Sequence, residues 1–204
     1  MKEDIPKKTV YRLSLYNRCL ERLAASPNGT VSSETLARVA GVKPTQLRKD
    51  LAYCGQVGKR GLGYEIELLH SRLTATLGHT ALQPVILIGA GNLGAALLRY
   101  TGFAREGFEI VAAFDTQPPP RTSDLPAPVF GMNRLEKFVR EQTIKIAILC
   151  IPATTAQEVC NQLVKNGIQA ILNFAPLILQ VPENVTVNNV NLAIELESLG
   201  YFIK

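Results

Sequence analysis

Val85-Ile86-Leu87-Ile88-Gly89-Ala90-Gly91-Asn92-Leu93-Gly94 is the stretch on which the fold of this chain turns. Four apolar residues in a row suit a strand covered on both faces, as in a parallel sheet. Three glycines at GxGxxG spacing follow at once, and the residues after them continue as a helix. The glycine spacing is common by itself. Between a strand and a helix it is the turn of a dinucleotide-binding unit. Gly89 permits the tight turn, Gly91 lets the main chain approach a pyrophosphate, and Gly94 lets helix and sheet pack closely. The amides of the loop, those of Ala90, Asn92 and Leu93 included, then face phosphates at a helix N-terminus.

Asp115 ends the next apolar run, 21 residues beyond Gly94. A carboxylate there accepts hydrogen bonds from a ribose diol and repels a 2′-phosphate, which favours NAD(H) over NADP(H). A plain turn residue is the alternative for Asp115, and a ligand-free tight turn the alternative for the glycines. Further apolar runs at 110–114, 146–151 and 170–172 are separated by helical patterns, so a parallel sheet with helices on both faces is expected from residue 84 onward. Residues 117–128 contain five prolines and predict an irregular surface loop. A last helix is expected from Asn191 to about Phe202, carrying Leu192, Leu196 and Leu199, with no strand after it.

Upstream the texture differs. Residues 1–80 hold 13 Lys/Arg against 7 Asp/Glu, whereas residues 81–204 hold 9 against 10. The net charge of +5 therefore resides in the first part. A basic module beside a neutral one points to a polyanion partner for the first alone, with a merely soluble basic surface as the alternative. Leu13, Tyr16, Leu20 and Leu23 recur at helical spacing, and Ser26-Pro27-Asn28-Gly29 ends that helix. Ser32 is placed to cap a short helix with Leu36, Ala37 and Ala40, and Gly41 to stop it. Pro44 fits the first turn of a third helix whose buried face is Leu47 and Leu51. Arg48 and Lys49 follow Leu47 by about 100° and 200° and so point outward. Two short helices around a tight turn, the second with outward cations, make a helix-turn-helix. Gly55, Gly58, Gly61 and Gly63 then surround Lys59 and Arg60, as in the hairpin of a wing. A fourth helix carries Ile66, Leu69, Leu73 and Leu77, and residues 78–83 form the expected linker.

Cys19, Cys54, Cys150 and Cys160 are scattered without CxxC pairing, which suits thiols in a reducing cytoplasm, and no metal site is expected. Residues 1–8 are polar, so no signal peptide is expected, and no apolar run is long enough for a membrane span.

Over nearly its whole length the chain resembles the Rex family of bacterial redox-sensing transcriptional repressors. The resemblance is carried by residues 11–18 (YRLSLYNR), 46–64 (QLRKDLAYCGQVGKRGLGY), 85–100 (VILIGAGNLGAALLRY), 107–115 (GFEIVAAFD), 173–176 (NFAP) and 191–202 (NLAIELESLGYF). It implies an α/β protein with a winged-helix DNA-binding domain over 1–80, a Rossmann-like NAD(H)-binding domain over 84–188, and a domain-swapped C-terminal helix over 189–204. It further implies a homodimer that binds palindromic operator DNA and is released by NADH. On this resemblance Arg48 and Lys49 read the major groove, and Lys59, Arg60 and Gly61 lie on the wing at the minor groove. Gly89–Gly94 and Asp115 hold the cofactor, Tyr100 and Pro152 lie at its nicotinamide end, and Arg18, Tyr100 and Asn191 form a redox-sensitive latch. The family usually has Asp where this chain has Asn191. A neutral amide lacks the charge-assisted bond, which is roughly twice as strong. A DNA-binding relative with weakened redox sensing is therefore the first alternative. An NAD-dependent oxidoreductase is the second, disfavoured because His70 and His79 both precede the dinucleotide unit and little chain remains for a substrate domain.

Overall fold

The computed structural model describes residues 5–23, 29–59, 61–78, 81–118 and 125–203. Arg60, the turn residues 26–28, His79 and part of the proline-rich stretch lie outside the described residues. The chain divides into two compact units, Met1–Ala81 and Leu82–Lys204.

The first unit opens with helix α1, Lys7–Leu23, whose Leu13, Tyr16, Cys19 and Leu20 are buried on one face. Strand β1, Thr30–Val31, is followed by α2, Ser33–Val39. The Ser32 hydroxyl accepts the main-chain N–H of Thr35 at 3.1 Å, the expected cap. Gly41, at φ +67°, turns the chain into α3, Pro44–Leu51, which buries Leu47 and Leu51. A single 3-10 turn, Ala52–Cys54, leads to β2, Gly58–Lys59, and β3, Gly63–Glu65. Helix α4, Ile66–Leu77, then packs Ile66, Leu69 and Leu73 into the same core as α1. The small antiparallel sheet has the order β1-β3-β2, so the expected wing hairpin is present with one extra strand. Gly63 makes that third strand possible: a Cβ there would run into the Val31 carbonyl oxygen, and its φ is +82°.

The second unit begins at β4, Gln83–Ile88, one residue inside the expected linker; the Gln83 N–H donates to Gly107. Then come α5, Asn92–Leu98, α6, Gly102–Arg105, and β5, Phe108–Asp115. Strand β6, Val129–Gly131, a 3-10 turn, Met132–Arg134, and α7, Leu135–Glu141, lead to β7, Ile146–Leu149. Helix α8, Ala153–Lys165, and strands β8, Ala170–Asn173, and β9, Thr186–Asn189, precede α9, Leu192–Gly200. The six strands are parallel, in the order β6-β5-β4-β7-β8-β9. Alternation along β4 explains why its sequence is apolar throughout. Ile86 and Ile88 enter one core with Leu135, Val139, Ala156 and Leu163, while Val85 and Leu87 enter the other with Leu98. The connections reverse direction between β4 and β7, and in such sheets the crevice at the carboxyl ends of those strands is the binding place.

Helix α9 ends at Gly200, short of the expected Phe202, and buries none of its residues. Leu192, Ile194, Leu196, Leu199, Tyr201, Phe202 and Ile203 are all exposed. No helix among the described residues is long and apolar enough to cross a membrane.

Candidate functional site

In the first unit, α3 and the β2–β3 hairpin wall a cavity of about 710 Å³ lined by Ser33, Glu34, Arg48, Lys59, Gly61 and Leu62 among others. Arg48 and Lys49 are exposed, as their 100° and 200° offsets from Leu47 require. Arg48 Nη1 donates to Ser33 Oγ at 2.9 Å and lies 3.5 Å from Glu34 Oε1. The Glu34 carboxyl is held below the usual carboxylate range, first by a main-chain N–H of its own residue and then by the Ser33 hydroxyl. Lys59 is exposed on β2, and Gly61, at φ +83°, makes the hairpin bend that leaves Leu62 at the tip in water.

Beneath this surface lies a group that periodicity does not reveal. Asp50, one residue beyond Lys49, is 2% exposed. Its carboxylate accepts Arg12 Nε at 2.6 Å, Arg12 Nη2 at 2.7 Å, the Tyr16 hydroxyl at 2.7 Å and Gln46 Nε2 at 2.9 Å. Burial alone would raise the Asp50 carboxyl; hydrogen bonds from Arg12, Tyr16 and Gln46, and the charge of Arg12, hold it below its ordinary range instead. Bonding to Asp50 raises the Arg12 guanidinium, and burial first, Asp50 second, raises the Tyr16 phenol. The available signal was an acid flanking an apolar stripe on α3, with Arg12 and Tyr16 four residues apart on one face of α1.

In the second unit, a cleft of about 500 Å³ sits at the carboxyl ends of β4, β5 and β7. Gly89, Gly91, Asp115, Thr116, Cys150 and Pro152 are among its lining. Gly89 has φ +94°, and a Cβ there would meet Cys150 O and Ile151. At Gly94 a Cβ would overlap the Gly89 carbonyl oxygen, so the third glycine is required by the loop itself. Gly91 differs: a Cβ would meet nothing within 4 Å, so its backbone faces open space. Asn92 is the first residue of α5 and Leu93 the second, their amides at the helix start. Asp115 Oδ2 accepts the Ala90 N–H at 2.7 Å, and Oδ1 accepts the Gln117 N–H at 2.9 Å. The acid at the end of β5 is thereby tied to the glycine loop. The Ala90 amide, expected to face a phosphate, is thus engaged by Asp115, and that of Gly89 by the Phe114 carbonyl oxygen. The amides at the start of α5, the unfilled space over Gly91 and the carboxylate beside them fit a pyrophosphate with an adjoining ribose diol. Burial pushes the Cys150 thiol up to about 12, so it is a neutral wall near pH 7.

The remaining expected residues fall elsewhere. Pro152 caps α8 and lines the cleft. Tyr100 does not line it; the ring is 60% exposed and stands edge-on to Phe103, with centroids 5.0 Å apart. Asn191 caps α9, its Oδ1 accepting the N–H groups of Ala193 and Ile194 at 3.0 and 3.3 Å. Arg18 is exposed on α1. Ser33, Glu34, Asp50 and Thr116 were not anticipated.

Residues 4–52 match the family model described as putative DNA-binding protein N-terminus, and residues 80–177 the model described as CoA binding domain. The redox-sensing transcriptional repressor Rex of Streptomyces coelicolor is 45% identical over 198 residues, 97% of this chain and 77% of that protein. The chain belongs to the Rex family. Similarity extends to the solved structures of RSP, a Rex-family repressor. RSP in complex with beta-NAD+ and operator DNA is 37% identical, with a TM-score of 0.89 over 98% of this chain and 93% of that one. RSP in complex with beta-NADH is 36% identical, with a TM-score of 0.85 over 98% and 94%. Rex membership thus spans both units, the basic helix-turn-helix and the glycine-loop cleft.

Proposed function

We propose that this chain is a cytoplasmic transcriptional repressor that grips palindromic operator DNA as a homodimer and lets go when NADH is bound. The observation that carries this is the pairing, within one Rex chain, of a helix-turn-helix with outward Arg48 and Lys49 and a glycine-loop cleft with Asp115 at its edge. Arg48 and Lys49 contact base edges or phosphates in the major groove. Lys59, Arg60 and Gly61 bring the wing to the minor groove, where the potential is strongly negative. The amides of Gly91–Gly94 at the start of α5 take the pyrophosphate, Gly89 and Ala90 shape the loop beneath it, and Asp115 takes the adenosine ribose, which makes NAD(H) the cofactor. Pro152 and Tyr100 serve the nicotinamide end. The apolar face of α9 supplies what a second copy would cover, and residues 189–204 are the segment exchanged between subunits. Arg18, Tyr100 and Asn191 form the latch that separates the two oxidation states.

The reading as a regulator rather than an enzyme is supported by the repressor names of its relatives and by both histidines preceding the dinucleotide unit. We expect no NADH oxidation by the purified protein, measured as absorbance at the reduced nicotinamide band with and without candidate acceptors.

A ligand shifts a two-state balance only through its preference between the states. Going from mostly bound to mostly released takes about 10³–10⁴-fold preference, about 4–5.5 kcal/mol. The test is binding to a duplex that the protein itself selects from a randomised pool, with NADH and NAD+ titrated separately. NADH is expected to release the DNA and NAD+ to leave it bound. Equal effects of the two would overturn redox sensing, and failure to select any duplex would overturn the repressor assignment. Asn191 favours a second reading, weakened redox discrimination, because its amide lacks the charge usual there. Asn191→Asp is then expected to widen the gap between NADH and NAD+ severalfold; an unchanged ratio excludes that reading.

A further inference from the structure

We infer that Asp50 is a positioning residue for sequence reading: its buried carboxylate sets the rotation of α3 about its own axis and thereby aims Arg48 and Lys49. The inference rests on the assignment of α3 as the DNA-reading helix. Helix α3 has only eight residues. Its apolar anchors, Leu47 and Leu51, form a narrow stripe, and apolar contact is non-directional. A two-turn helix held by such a stripe alone is free to roll. At a radius of about 6 Å, a roll of about 30° moves a side-chain tip about 3 Å, a whole hydrogen-bond length.

Asp50 removes that freedom. It lies on the flank of the Leu47–Leu51 stripe opposite Arg48, as 100° per residue requires. From there it takes a two-pronged bond from Arg12 and a third from Tyr16, both on α1, while Gln46 fills the remaining acceptor site from within α3. The fork of a guanidinium on a carboxylate is planar and fixed in direction, unlike a leucine contact. Folding alone does not demand the arrangement, since well-packed apolar residues of similar volume often serve a buried ion pair's place equally well or better. What the apolar substitute lacks is direction.

The decisive experiment uses the full chain. The Arg12→Met/Asp50→Leu double variant removes both charges together, so no unpaired ion remains in the core. Binding to the duplex selected by the parent and to a scrambled duplex of equal length is measured across a salt series, with thermal unfolding and NADH binding alongside. The double variant is expected to unfold at a temperature near the parent's and to bind NADH normally. It should hold scrambled DNA within twofold of the parent with the same salt slope, and hold the selected duplex at least tenfold more weakly. A folded variant that keeps the parent's preference overturns the inference, and so does equal weakening on both duplexes. Should the double variant fail to fold, Tyr16→Phe, which deletes one of the four bonds, decides: a severalfold smaller preference supports the inference and an unchanged preference overturns it. If the parent itself selects no duplex, the DNA-reading assignment fails rather than the role of Asp50 within it.

Discussion

The two units reach rigidity by different means. In the sheet unit, six parallel strands carry ladders of main-chain hydrogen bonds, and the side chains buried against them are apolar but for Asn173 among the described residues. The cleft is shaped by backbone: Gly89 and Gly94 sit where any Cβ would strike a carbonyl oxygen. Among the described residues of the helical unit the only ladder is a sheet of strands two or three residues long. There α3, the proposed reading helix, is tied by side chains, through Asp50, Arg12 and Tyr16. A sheet supplies direction from its own main chain; a bundle of short helices must obtain it from polar side chains. Damage should therefore follow different rules in the two places.

The sharpest break is expected at Gly94. Gly94→Ala puts a methyl group against the Gly89 carbonyl oxygen and spreads the loop. NADH affinity should fall by at least about 100-fold, about 2.7 kcal/mol, while apo binding to the selected duplex is retained. Calorimetric titration beside a DNA-binding assay checks both halves, and joint loss would show the units to be less separable than this. Next comes Asp115→Ala, which takes away the proposed ribose acceptor and the bond from Ala90. A hydrogen bond to a charged group is worth about 1.5–3 kcal/mol, so NADH should bind at least about tenfold more weakly. Lys49→Ala should cost about tenfold on the selected duplex, about 1.4 kcal/mol, and leave the NADH titration unmoved. An unaltered duplex affinity would remove Lys49 from the interface.

Acid offers a gentler comparison. Asp50 has a depressed pKa in the folded state. Its contribution is therefore present above the unfolded value, about 3.9, and is lost as pH falls through the lower folded value. Acidification below about pH 4 should loosen the helical unit by this route, followed by circular dichroism. The Arg12→Met/Asp50→Leu variant should show a flatter response there; an identical acid profile would mean that other carboxylates carry it.

Much of this organisation was written in periodicity and glycine spacing. Residues 85–94 announced β4, its loop and α5, because a continuous apolar run and GxGxxG each answer to a local constraint. The helix-turn-helix was legible from Ser32, Gly41 and Pro44, whose conformational preferences act within a few residues. Strands β1, β6 and β9 were not. Two to four residues hold no period, and the Thr and Asn side chains of β9 sit on a sheet edge where no apolar run is needed. The Asp50 hub joins residues 34 and 38 apart in sequence, a pairing that only the fold brings about. Tyr100, placed at the nicotinamide end by family likeness alone, packs edge-on to Phe103 in the single chain, outside the cleft lining.

Helix α9 and the residues after it keep Leu192, Ile194, Leu196, Leu199, Tyr201, Phe202 and Ile203 in water in the single chain. On the proposed exchange of this ribbon between subunits, copies trade partners by mass action, so a damaged copy does not stay alone. A copy with intact α9 and a crippled Lys49 would sequester sound copies into one-handed pairs that miss half of a palindrome. In a cell making both, the silencing that survives should scale roughly as the square of the sound fraction, and poisoning should vanish once the ribbon itself is made polar.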